Sequence, residues 1–230
     1  METATTLRKK DLHRTTIKLR VPLGVDASHH QGAVDWRAVA GEGFAFAFLK
    51  ATEGANTADP VFASNWVRAK EAGLLRGGYH FYRAATDPRL QANNFLETVR
   101  ELSAGDLPPM LDVEVLDNQP ASTVLDGVQL WLATVELALK RKPIVYSYPS
   151  FWRSSMGNST RLAEYPLWIA HYTLASEPSL PGGWKSWTFW QYSDHGRVAG
   201  VAGPIDFNRF HGTQAELRTL AGLPAAAGAR

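Results

Sequence analysis

The stretch PMLDVEV, residues 109–115, sets Asp112 and Glu114 two positions apart in an otherwise apolar run. In an extended strand, residues i and i+2 share a face. Both carboxyls then point one way, roughly 6.5–7 Å apart at their α-carbons, while Leu111, Val113 and Val115 point the other. Two acids crowded on one buried face repel, and burial raises both pKa values. One keeps its proton near neutral pH while the other ionises, the division of labour that glycoside hydrolysis uses. A D-x-E pair alone is a weak motif, since a buried Arg or Lys could hold it, or it could ligate a metal. Two further acids sharpen the reading. Asp26 in GVDAS and Asp206 in PIDFN also lie in or at the ends of strand-like runs. Four carboxylates gathered at one place are hard to explain as packing.

Eight short apolar runs supply the strands that would position these acids: 23–28, 44–52, 75–82, 108–114, 142–148, 166–172, 187–193 and 204–210. Each has the length and the β-branched or aromatic content of a buried strand. Helical patterns fit 34–43, 59–73, 87–102 and 122–142, and the second opens on Asp-Pro and closes at Gly73. No helical pattern separates the last three strands. Strand–helix alternation argues for a parallel sheet with right-handed crossovers, and eight strands suggest closure. The expected fold is α/β: a modified TIM-like β/α barrel of eight strands with fewer helices, its last strands joined by loops and open to antiparallel pairing. Active sites of such barrels lie at the C-terminal ends of the strands.

The bulk numbers agree with one ordinary catalytic domain. The chain has 230 residues, 45% hydrophobic and 20% charged, with a net charge of +2. That balance lacks the strong basic stripe of a nucleic-acid binder. There are no cysteines, hence no disulfide and no thiolate metal site. No apolar run approaches the ~20 residues of a membrane helix. Residues 1–20 carry Arg8, Lys9, Lys10, Arg14, Lys18 and Arg20 against Glu2 and Asp11. They contain no apolar signal-peptide core. The expected organisation is a flexible basic leader over 1–20, one catalytic domain over 21–222 and a disordered tail over 223–230. A monomer is expected.

An ordered set of segments is more specific than any one motif. It comprises GVDASHHQGAVDW, FAFLKATEG, GLLRGGYHFYR, MLDVEV, PIVYSYPSFW, PLWIAHY and WTFWQYSDHGRVAGVAGPIDFNRFHG, spanning about residues 23–212. With these in order, the chain resembles glycoside hydrolase family 25, the Chalaropsis-type lysozymes. The resemblance implies a modified β/α barrel and an N-acetylmuramidase that cuts the β-1,4 bond between N-acetylmuramic acid and N-acetylglucosamine in peptidoglycan. It implies no cofactor. It also implies catalytic roles for Asp26, Asp112, Glu114 and Asp206. Glu114 would be the general acid. Asp112 would orient the substrate's 2-acetamido group or act as nucleophile. One departure is visible: Ala27 and His30 stand where the family more often has a β-branched residue and Trp or Tyr.

Further candidates for sugar contact lie near the strand ends: Tyr79, Phe81, Tyr146, Trp168, Tyr172, Gln191 and Asn208. Alternation forbids every neighbour from facing one cleft, so some of the aromatic residues, Trp190 among them, must be core. Lys50 closes an apolar strand, and either a structural ion pair or substrate contact suits it. The histidines lack metal-site spacing, and His80 and His171 read as hydrogen-bonded framework. No metal is expected. Two other readings remain open on sequence: a non-catalytic glycan-binding module on the same fold, and a metal-dependent sugar deacetylase. The expected place of action is the bacterial cell wall, reached by secretion or phage release, with no signal peptide visible.

Overall fold

The computed structural model describes residues 21–224. The basic leader and most of the expected tail therefore lie outside the described residues. Leu223 packs against the inner apolar cluster, and its amide donates to the Arg218 carbonyl at 2.9 Å.

Eight strands close into a barrel. They are β1 (Leu23–Ala27), β2 (Phe46–Glu53), β4 (Leu75–Phe81), β5 (Met110–Asp112), β6 (Ile144–Ser147), β7 (Leu167–Ala170), β8 (Phe189–Gly196) and β9 (Ile205–Phe210). A two-residue strand, β3 (Thr57–Ala58), adds a hairpin to β2 and makes nine in all among the described residues. Neighbours from β1 through β8 run parallel, leaving β3 aside. Only β9 runs antiparallel, pairing with β8 on one side and β1 on the other. The expectation of late strands joined by loops holds. Within the barrel, antiparallel pairing among the described strands is confined to the last one; the β2–β3 hairpin outside it is antiparallel as well.

Alternation along each strand produces two apolar layers. Inside the barrel, Phe46, Phe48, Met110, Ile144, Trp168, Phe189 and Phe210 fill the lower part. Val25, Ala47, Leu49, Leu111, Val113, Val145, Ile169 and Trp190 face outward. Two strand glycines make room for this filling. A Cβ on Gly24 would lie 2.2 Å from the Phe46 ring, and one on Gly77 would lie 2.4 Å from the Met110 methyl.

The four expected helices appear as α1 (Trp36–Gly41), α2 (Phe62–Glu71), α3 (Pro88–Val99) and α4 (Ala121–Leu139). Asp35 and Asp87 cap α1 and α3 by accepting first-turn amides. At α2 the cap residue is Val61, while Asp59 accepts the Val61 amide and binds His29. α4 buries Val124, Val128, Trp131, Leu132 and Val135 in the outer layer. Removing a side chain such as Trp131 would cost about 3–5 kcal/mol. Two helices went unforeseen, α5 (Pro149–Ser154) and α6 (Gln214–Leu220). Both have at most seven residues, too few to display a helical period.

Side chains, not helices, cover the outside of the last strands. Trp190 is buried there and donates to the His171 carbonyl at 2.8 Å. Trp187 donates to Glu177 at 2.6 Å, and the Arg209 guanidinium lies over Trp190 and Tyr192 at 4.6 and 4.4 Å. Trp190 is thus core, as alternation requires. His80 is also an outer-layer residue. It bonds Thr52 at 2.7 Å and Gln91 at 3.1 Å and stacks on Trp131. Burial pushes its pKa down to about 4, so it stays neutral and structural.

Candidate active site

The upper end of the barrel carries acids where the lower end carries aromatics. Asp26 lies one residue before the end of β1 on the inner face, directly across from Asp206 of β9. Because β9 runs downward, a residue near its start reaches the same mouth as residues at the ends of the parallel strands. Asp112 ends β5. The sequence reading placed Glu114 inside that strand, but regular strand stops two residues earlier. Pairing still continues, since the Val113 amide donates to the Tyr146 carbonyl at 3.0 Å. The alternation therefore survives, and both acids line one cavity.

That cavity, about 230 Å³, is lined by Asp26, Lys50, Tyr79, Phe81, Asp112, Glu114, Tyr146, Trp168, Gln191 and Asp206, with Ser28 and His30 at its edge. It shares Glu114 and Tyr146 with a neighbouring groove of about 520 Å³. Tyr172 lines that groove, together with Tyr148, Arg153 and His171. Glu114 thus sits where the two spaces meet.

On the β1–β8–β9 side the polar groups form a closed web. Tyr146 and Tyr172 both donate to Gln191 Oε1, at 3.1 and 2.8 Å. This fixes the amide, so Gln191 Nε2 faces Asp26 and Asp206, at 2.9 and 3.2 Å. Trp168 donates to Asn208 Oδ1 at 2.7 Å, and Asn208 Nδ2 donates to Asp26 at 2.7 Å. Asp26 and Asp206 also bond each other. Burial and the Asp26 charge push Asp206 up to about 8. Burial raises Asp26 too, against the pull of its Gln191, Asn208 and Asp206 hydrogen bonds. Like charges this close resist joint ionisation, so one proton is shared between them near neutral pH.

The β5 side is different. Among the described residues, Asp112 Oδ1 is buried with no hydrogen-bond partner. Burial, then the Glu114 charge, hold the Asp112 pKa well above the ordinary carboxylate range, with Lys50 opposing. Burial and the Asp26 charge raise Glu114, again against Lys50. Lys50 itself bonds Glu53 at 2.7 Å.

All twelve residues singled out in the sequence fall at this end of the barrel. Asp26, Asp112, Glu114, Asp206, Lys50, Tyr79, Phe81, Tyr146, Trp168 and Gln191 line the cavity. Tyr172 lies at the rim, half exposed. Asn208 is fully buried beneath the cavity and reaches it through Asp26 and Trp168. Trp168 is floor, edge-on to Tyr79, and offers no open sugar platform. Sequence reasoning missed Tyr148, Arg153 and Glu53. Tyr148 and Arg153 flank or belong to the unforeseen α5, and Glu53 follows Lys50 at a spacing that normally puts two strand residues on opposite faces. Among the described residues, no group of three or more His, Asp or Glu side chains is arranged to hold a metal ion.

Known proteins share this arrangement's sequence and fold. The chain is 42% identical over 202 residues to the uncharacterized protein YegX of Escherichia coli (strain K12), covering 86% of this chain and 72% of that one. It is 37% identical over 211 residues to Lysozyme M1 of Streptomyces globisporus, covering 86% and 70%. The bacterial lysozyme structure from Streptomyces coelicolor superposes with a TM-score of 0.83 at 36% identity, covering 87% of this chain and 97% of that one. The sequence profile of glycosyl hydrolases family 25 matches residues 25–201. That match spans most of the chain and includes Asp26, Asp112 and Glu114, so the chain belongs to glycosyl hydrolase family 25.

Proposed function

We propose that the protein is a peptidoglycan hydrolase, an N-acetylmuramidase acting on the bacterial cell wall. The observation that carries this reading is the unpartnered, buried oxygen of Asp112 beside Glu114 in an acid-lined cavity that opens into a groove. A buried acceptor without a donor costs about 1–3 kcal/mol. A substrate amide N–H is a group that would satisfy it, and the sugars of peptidoglycan carry that group at C2.

Glu114 is the general acid in this scheme. Burial raises the pKa of both Asp112 and Glu114, so position decides between them: Glu114 lies at the junction of cavity and groove, where a chain crossing between them would place its scissile bond. Substrate binding adds to this. An N–H donated to Asp112 favours its ionised form, and that charge raises Glu114 further. Glu114 then protonates the leaving oxygen. The acetamido carbonyl oxygen, turned by Asp112, attacks the anomeric carbon. Water opens the resulting ring, with Glu114 now acting as base. Asp26 and Asp206 hold sugar hydroxyls and tune the field. The alternative role for Asp112, as nucleophile, predicts a covalent glycosyl–Asp112 adduct that mass spectrometry would trap.

The wall-facing activity fits secretion or phage release of a monomer. Sedimentation of the purified chain checks the oligomeric part. Turbidity of purified cell walls, with the new reducing ends identified, tests the reaction. Glu114→Gln should lower lysis at least ~10²-fold, as typical acid–base contributions imply, with the melting curve intact. Acetate release without chain cutting, abolished by chelator, would instead favour a deacetylase. Binding without cutting would favour a glycan-binding module.

A further inference from the structure

Lys50 stands among the acids of the cavity but bonds none of the four assigned to catalysis. Its side chain is 13% exposed, and its Nζ donates to Glu53 Oε2 at 2.7 Å. The ammonium also lies 5.0 Å from the centre of the Phe81 ring. Phe81 is registered with Glu53 on one side and Asp112 on the other. The cation therefore sits over the ring that separates two carboxylates, and it is committed to one of them. The other, Asp112, keeps a buried oxygen unpartnered. A lysine has a flexible four-carbon stem and three rotatable donors, so rotamer changes alone could turn it from one side of the ring to the other.

Glu53 is held in turn. Arg83 reaches Glu53 Oε1 at 3.4 Å and is fixed by Asp117, whose two oxygens it contacts at 2.7 and 3.0 Å. Burial works to raise the Glu53 pKa, but Lys50 and Arg83 outweigh it and hold the carboxyl below its ordinary value. Glu53 thus stays an anion and a durable partner for Lys50.

We propose that Glu53 is a positioning residue that keeps the Lys50 ammonium off Asp112, leaving the Asp112 oxygen open for the amide N–H of a 2-acetamido sugar. This rests on the assignment of Asp112 and Glu114 made above. Without Glu53, the ammonium closes on Asp112, fills the acceptor that the substrate needs and fixes the carboxylate in its ionised form. The groups that face Lys50 come from several elements. β1 contributes Asp26, with His30 beyond it, and β9 contributes Asp206. Tyr79 comes from β4 and Arg83 from just past it, Asp112 from β5 and Glu114 from just past it, and Tyr146 from β6.

Glu53→Gln keeps the shape and removes the charge. Three readouts are expected from it. First, kcat/KM on cell walls falls at least tenfold. Second, both limbs of its pH profile move to lower pH, because a closer cation favours the ionised forms of Asp112 and Glu114. Third, the Asp112 carboxyl, followed by ¹³C NMR, titrates at lower pH than in the unchanged protein. In a Lys50→Met background only the direct loss of the Glu53 charge remains, so Glu53→Gln should shift that titration much less, as a double-mutant cycle shows when one residue acts largely through the other. An unmoved Asp112 titration in Glu53→Gln would overturn the proposal, and so would an equal shift in the Lys50→Met background. The NMR arm does not need an active enzyme. If Glu114→Gln keeps its lysis, the catalytic assignment fails separately, and the titrations still judge whether Glu53 restrains Lys50.

Discussion

The two sides of the barrel mouth treat their acids in opposite ways. On the β1–β8–β9 side, Asp26 and Asp206 receive donors from Gln191 and Asn208, and these amides are themselves locked by Tyr146, Tyr172 and Trp168. On the β5 side, Asp112 Oδ1 has no donor among the described residues, and the Lys50 ammonium is bound to Glu53. A satisfied polar web rigidifies its members. An unsatisfied buried acceptor stores free energy that a ligand can release. The contrast separates a half of the site that holds from a half that waits.

The sharpest way to break the contrast is to remove the waiting charge. Asp112→Asn should cut kcat/KM by about ten- to a hundredfold, the size of one hydrogen bond to a charged group at about 1.5–3 kcal/mol. The same change should raise the melting temperature above neutral pH, because the wild-type carboxylate is buried without a partner. A catalytic role without that gain in stability would mean that Asp112 is solvated better than its surroundings suggest.

Breaking the held half should do the reverse. Gln191→Leu leaves two phenols without their acceptor, Asp206 without its amide donor and Asp26 with Asn208 alone. Stability should drop by about 1–3 kcal/mol, read by urea denaturation, together with activity. If activity fell and stability did not, the web would be reorganising around the gap.

A separate effect is the pH dependence carried by Asp206. Its pKa rises from 3.8 to about 8 on folding, so the folded state binds the proton more tightly. The associated stability is fully present below pH ~4 and is lost as pH rises through about 8. Asp206→Asn should flatten the decline in stability across that window. An unchanged slope would mean that the shared proton resides on Asp26.

Much of this was legible in the sequence. Strand runs and their alternation gave the barrel, and the i, i+2 spacing of Asp112 and Glu114 gave a shared face. Asp26 and Asp206 became legible once their own strands were drawn to the same mouth. The partner of Lys50 was not. Residues 50 and 53 belong on opposite faces of a regular strand, yet the β2–β4 register slips between Lys50 and Thr52. Ala51 is the extra residue of a bulge, a device that re-aims side chains near active sites. It turns Lys50 and Glu53 the same way. The orphaned state of Asp112 was equally hidden, because it depends on which donors fail to reach it.

The reversed last strand has a consequence of its own. Gln191, Asp206 and Asn208 all lie in one hairpin, β8 and β9 joined by residues 197–204. A slip of one residue in this pairing would turn Asp206 and Asn208 out of the barrel and bring Phe207 in. The irregular register at Ser193 and Gly196 resists such sliding, as a notch does on a ruler. Half of the site is thus carried by one contiguous and separately alterable piece of chain. The connecting loop can be lengthened or exchanged, and only the alignment of the two strands must be kept.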